Sequence, residues 1–173
     1  MARQMVPTAV ASALTGLSTE KLREWTIRRA LIPADVRSQG KGSSAQFTWQ
    51  TILVLRLAVV LKDRFHIELQ AHKPAFDGLL AEIRRNAFPS LWGCKAVLDV
   101  NEHWSILALK ETGTVDSIAL GLDPHLEIIR DGFAFRGAMS APEQGDLFAL
   151  PSVYGQPKIG RGPGLAELRS SRP

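Results

Sequence analysis

Cations and hydroxyls gather in one short stretch of this sequence: Thr19, Lys21, Arg23, Arg28, Arg29, Arg37, Lys41 and Ser43 fall within residues 19–43. Side chains of these types neutralise phosphates and donate hydrogen bonds to phosphate oxygens and base edges, the contacts by which proteins hold a nucleic acid duplex. The groups that catalysis needs are scattered instead. His66, His72, His103 and His125 show neither HExxH nor any paired ligand spacing, and no G-x-S-x-G elbow occurs. His66, His72 and Cys94 form a poor zinc set, because single histidines usually lie on the surface or in packed positions. Gly160-Arg161-Gly162-Pro163-Gly164 is glycine-rich, but its proline and the lack of a strand-to-helix setting separate it from a phosphate loop. Acidic pairs such as Asp99/Glu102 and Asp123/Glu127 fall at strand ends or turns, where charges are usually solvated. The expectation is no enzyme, no metal and no cofactor.

The elements that must carry these residues begin with a helix over Thr8–Thr15, opened by Pro7 and closed by Gly16. Val10, Ala11 and Leu14 stand at helical spacing within it. Ser18 is a good N-cap for a second helix from Thr19 to about Arg29. Leu22, Trp25 and Ile27 are expected on its buried side, with Lys21, Arg28 and Arg29 left to solvent or a ligand. Gly16-Leu17-Ser18 is the short glycine turn of a helix-turn-helix unit. The polar run Arg37–Ser44, with Gly40 and Gly42, reads as the tip of a β-hairpin whose arms are residues 34–37 and 45–47. Thr48 then caps a long helix from Trp49 to about Arg64, apolar on most faces and therefore buried.

Beyond it, Pro74 opens a helix to about Asn86. Strands are expected over Lys95–Val100 and Trp104–Lys110, joined at Asn101-Glu102-His103, with a third over Val115–Leu122. Residues 124–131 fit a helix or a strand equally well. From Pro151 a basic tail is expected. The fold class is thus α+β, in three parts: a winged helix-turn-helix at 1–66, an acidic α+β part with a hairpin or short antiparallel sheet at 67–150, and a tail at 151–173.

Charge follows the same division. Residues 1–66 hold ten Lys/Arg against four Asp/Glu, residues 67–150 seven against twelve, and residues 151–173 four against one. A basic head on an acidic body points the head at a polyanion. Hydrophobic residues make up 45% of the 173, enough for a core. The most apolar run, Ile52–Leu61, is too short to span a bilayer and contains Arg56. Met1–Pro7 lacks the apolar stretch of a secretory signal. One cysteine leaves no disulfide within the chain. No membrane contact and a cytoplasmic location are the expectations.

The stretch Val10-Ala11-Ser12-Ala13-Leu14-Thr15-Gly16-Leu17-Ser18, followed by Leu22-Arg23-Glu24-Trp25, Leu31-Ile32-Pro33 and Phe47-Thr48, resembles the MerR-like transcription regulators. The resemblance covers Val6 to about Phe65. It implies a winged DNA-binding head in which Arg23 meets the backbone or a base, near Thr19, Glu20 and Lys21 at the start of the second helix. Arg28 and Arg29 would clamp phosphates. Two departures stand out. Ser44 and Ala45 occupy the places of the family's tyrosine-arginine pair, so Arg37 and Lys41 would have to supply the wing's cations. No heptad pattern follows Phe65 to build the family's coiled coil.

The expected function is therefore a sequence-specific regulator that binds double-stranded DNA, as a homodimer. An alternative is a DNA-bound adaptor of phage, plasmid or antitoxin type, whose residues 67–150 recruit a protein partner. A third is a protein-interaction module that has lost DNA binding. For residues 67–150, effector binding, dimerisation and partner binding all stay open.

Overall fold

Helix α1 occupies Thr8–Thr15 and ends at Gly16, whose φ of 75° lets its N–H turn back to the Ser12 carbonyl. The computed structural model describes residues 4–40, 42–112 and 116–139, with side chains as far as Phe133. Lys41, Val115 at the start of the expected third strand, residues 140–150 of the expected acidic part and the expected basic tail at 151–173 lie outside the described residues.

Helix α2, Thr19–Arg23, starts on Ser18, whose hydroxyl accepts the Lys21 N–H at 3.1 Å. It does not continue as an α-helix. Glu24–Arg28 form a π turn, marked by the Arg29 N–H donating to the Glu24 carbonyl. Leu22, Trp25 and Thr26 are buried, whereas Ile27 is 43% exposed. The expectation that Ile27 points inward is corrected here. It stands five residues after Leu22, about 140° around an ideal helix, while Thr26 follows Leu22 by one turn. Thr26 satisfies its own hydroxyl by donating to the Leu22 carbonyl at 2.8 Å.

The segment 34–47 also differs from a simple hairpin. Its arms meet at a single bridge, Val36 with Gln46. The second arm pairs instead with the beginning of the chain. Strand β1, Met5–Pro7, runs antiparallel to β2, Gln46–Thr48, with Val6 opposite Phe47. Both of those side chains are at most 1% exposed. Burying each is worth about 2 kcal/mol, more than the 34–37 arm gains from Ala34, with Val36 left 41% exposed.

Helix α3, Trp49–Phe65, begins on Thr48, whose hydroxyl accepts the Thr51 N–H, and its first three turns are buried almost all round. It is the axis of the fold. Helix α1 packs on it, as do α4 (Lys73–Arg84) and α5 (Asp123–Met139). A three-stranded antiparallel sheet completes the structure, with β3 (Cys94–Asp99) between β4 (Trp104–Ala108) and β5 (Ser117–Gly121). Asp99 closes the β3–β4 turn by accepting the N–H groups of Asn101 and His103. Residues 124–131, open between helix and strand, are helical. The fold class is α+β.

One hydrophobic core runs from Val6, Leu22, Trp25 and Phe47 through α3 to Leu79, Ile83, Leu122 and Ile129. Trp49 packs edge-on against Phe88, with ring centroids 5.1 Å apart. A polar clamp ties the same parts. The Asp35 carboxylate accepts Thr48 N–H at 2.8 Å and the Thr48 hydroxyl at 3.1 Å, and its other oxygen meets Arg84 of α4 at 3.0 Å.

Candidate nucleic-acid interface

The side chains of α2 divide by helical angle. Arg23 and Lys21 lie two positions apart, about 200° around the axis, and so face different ways. Lys21 turns toward Glu24, with Nζ 2.8 Å from Oε2, and Arg29 reaches the other oxygen of that carboxylate at 2.8 Å. The Lys21 hydrogen bond, joined by the fields of Arg29 and Arg28, holds the Glu24 carboxyl below its ordinary range. Glu24 thus offsets one of the two cations it binds, and the cluster keeps a net positive charge. Lys21 and Arg29 border a small recess of about 60 Å³ with Trp25 and Lys62.

Arg23 goes the other way. With Thr26 and Ile27 it forms one wall of a groove of about 560 Å³, and the opposite wall is the loop through Ser38, Gly40, Gly42, Ser43 and Ser44. Among its described lining residues there is a guanidinium, several hydroxyls and no carboxylate. The grooves on the two sides of α4 carry both signs, Glu82 and Glu102 with Arg85 on one side and Asp35 and Asp77 with Arg84 on the other. Among the described residues Arg23, Arg28 and Arg37 form no ion pair, so their charge is uncompensated by a carboxylate contact.

The loop wall is held in place by hydroxyls. Ser44 Oγ accepts the Thr8 N–H at 3.0 Å and donates to the Thr8 hydroxyl at 3.1 Å, which pins the loop to the first residue of α1. Ser43 Oγ accepts the Gln39 N–H at 2.6 Å and donates to the Gly40 carbonyl, closing the tip. Gly42, with φ of 99°, supplies a backbone state that other residues resist.

The sequence-derived set therefore divides. Arg23 and Ser43 share the groove, although the Ser43 hydroxyl is already engaged within its own turn. Lys21 and Arg29 are drawn to Glu24 on another side. Thr19, Arg28 and Arg37 are exposed and line neither recess. Ile27, Ser38 and Ser44 join the groove without having been foreseen. The five-residue offset of Ile27 from Leu22 was the readable sign of its exposure. The role of Ser44 depends on a contact across 36 positions and had no local sign.

No protein-family model matches this chain, and no curated protein matches it.

The histidines stand apart from the groove. His72 Nδ1 lies 2.8 Å from Glu102. His125 on α5 accepts a hydrogen bond at Nδ1 from Arg56 Nε, 3.2 Å away, and Arg56 also donates to the Leu14 carbonyl at the end of α1. Burial, aided by the charges of Arg56 and Arg64, lowers the His125 pKa to about 4, which keeps the ring neutral as an acceptor. Burial also lowers the pKa of Arg56.

Proposed function

We propose that this protein binds double-stranded DNA sequence-specifically, as a transcription regulator of the MerR-like kind. In this reading α1 and α2 form the helix-turn-helix, and the 34–45 loop is the wing. The observation that carries it is the groove between Arg23 and that loop, whose described lining residues include the Arg23 guanidinium and no carboxylate. A polyanion meets that cation there, while the hydroxyls of Thr26, Ser43 and Ser44 are spent on holding the walls. In this reading Arg23, which forms no ion pair among the described residues, meets a phosphate or the O6/N7 edge of a guanine. Arg28 and Arg37, both exposed, add charge for the backbone. One short helix reads only a few base pairs, so two copies on a two-fold site give the specificity that a regulator needs.

Selection of bound duplex from a random pool by the full chain tests this directly. The expected result is a single enriched motif with inverted symmetry and an affinity that falls steeply with salt. An unenriched pool, or binding indifferent to salt, rejects the reading.

A further inference from the structure

The groove contains one side chain that a purely phosphate-binding surface has no use for. Ile27 is 43% exposed and lines the groove beside Arg23, across from the loop's serines and glycines. It follows Arg23 by four residues, so the two project on one side of the helix, about 6 Å apart along the axis. That spacing is comparable to two steps of a base stack. The π turn over Glu24–Arg28 follows directly on Arg23. Inside the same turn Trp25 and Thr26 stay buried, which leaves Ile27 as the apolar group at the surface of the groove.

We propose that Ile27 is a specificity-determining residue that reads the 5-methyl group of a thymine within about two base pairs of the position met by Arg23. This rests on the reading of the groove as a duplex site. The chemistry follows from the edges of the base pairs. In the major groove the thymine methyl is the one apolar feature, and an aliphatic side chain gains by covering it. Ile27 is β-branched and stiff, so little side-chain freedom is lost on contact. The groove suits an anionic occupant, because the wall next to Ile27 carries Arg23 and no described lining residue carries a carboxylate.

The test uses the full chain and the duplex motif selected from a random pool, with each thymine replaced in turn by uracil, which removes only the methyl group. Wild type is expected to lose about four-fold in affinity at one position, the effect of one methyl group returned to water. Ile27→Ser is expected to show no loss there, while its binding still depends on Arg23. If every uracil duplex binds wild type as the thymine duplex does, or if Ile27→Ser keeps the same four-fold loss, the role of Ile27 is overturned and duplex binding still stands. If no motif is enriched at all, both fall together.

Discussion

Glu24 sits between Lys21 and Arg29, 2.8 Å from each, and this one carboxylate governs how much positive charge α2 presents on that side. Its neutral isostere should release both cations. For Glu24→Gln, affinity for random-sequence duplex is expected to rise at low salt, with a steeper fall as salt increases, because one more positive charge is free to displace counterions. Fluorescence anisotropy over a salt series reads both effects, and an unchanged salt slope would show that the cluster never meets phosphate. Arg23 behaves differently, having no carboxylate to restrain it among the described residues. Arg23→Ala is expected to weaken binding to the selected motif by about 1–3 kcal/mol if it meets a base edge. A gel shift in which this variant matches wild type rejects the assignment. Spacing in the sequence leaves Lys21, Arg28 and Arg29 to solvent, and only the family resemblance singles out Arg23. The acid three residues after Lys21, Glu24, is the local sign that Lys21 is drawn aside.

The elements are joined by polar contacts that no local pattern announces. Asp35 lies between two stretches of irregular backbone, yet its side chain is only 7% exposed and holds the N-terminus of α3 as well as Arg84 of α4. Removing it leaves the Thr48 N–H without its acceptor in a buried setting. Asp35→Ala is expected to cost about 3 kcal/mol of folding stability, visible in urea unfolding as a lower midpoint at constant slope. A loss below about 1 kcal/mol would mean that water replaces the carboxylate at little cost. Boundaries of α1, α3 and α4 were legible to within two residues, because glycine, Ser/Thr caps and proline mark them locally. The pairing of β1 with β2 was not legible. A three-residue strand has almost no periodicity of its own, and its partner lies some forty positions away.

Over the whole molecule, Arg56 links three helices: it belongs to α3, donates to the end of α1 and donates to His125 of α5. A protonated His125 cannot accept that hydrogen bond and would oppose the guanidinium. Its folded pKa of about 4 lies below the 6.5 of a free histidine, so the unfolded chain takes up the proton first as pH falls. Stability from this site is therefore complete above pH 6.5 and is lost between 6.5 and 4. The loss is on the order of 2 kcal/mol once screening of a partly exposed ring is allowed for. Thermal or urea unfolding of wild type and His125→Gln at pH 7 and pH 4.5 checks this. The glutamine variant, which keeps an acceptor for Arg56, should lose less stability on acidification, and equal losses would place the titrating group elsewhere.

What could be read from residue order was everything encoded within a few positions: the caps, the glycine turns, the apolar run that makes α3 central, the three strands of the sheet and the mixed α+β class. Tertiary structure decided the rest. It gave β2 its partner, buried the Asp35 side chain, and set Ser44 against Thr8 so that a groove opens beside Arg23. The reason is one of range. Helix caps and turns are satisfied by neighbours in sequence, whereas a lone carboxylate, a short strand or a loop serine finds its hydrogen-bond partner only when distant segments are brought together by the burial of a shared core.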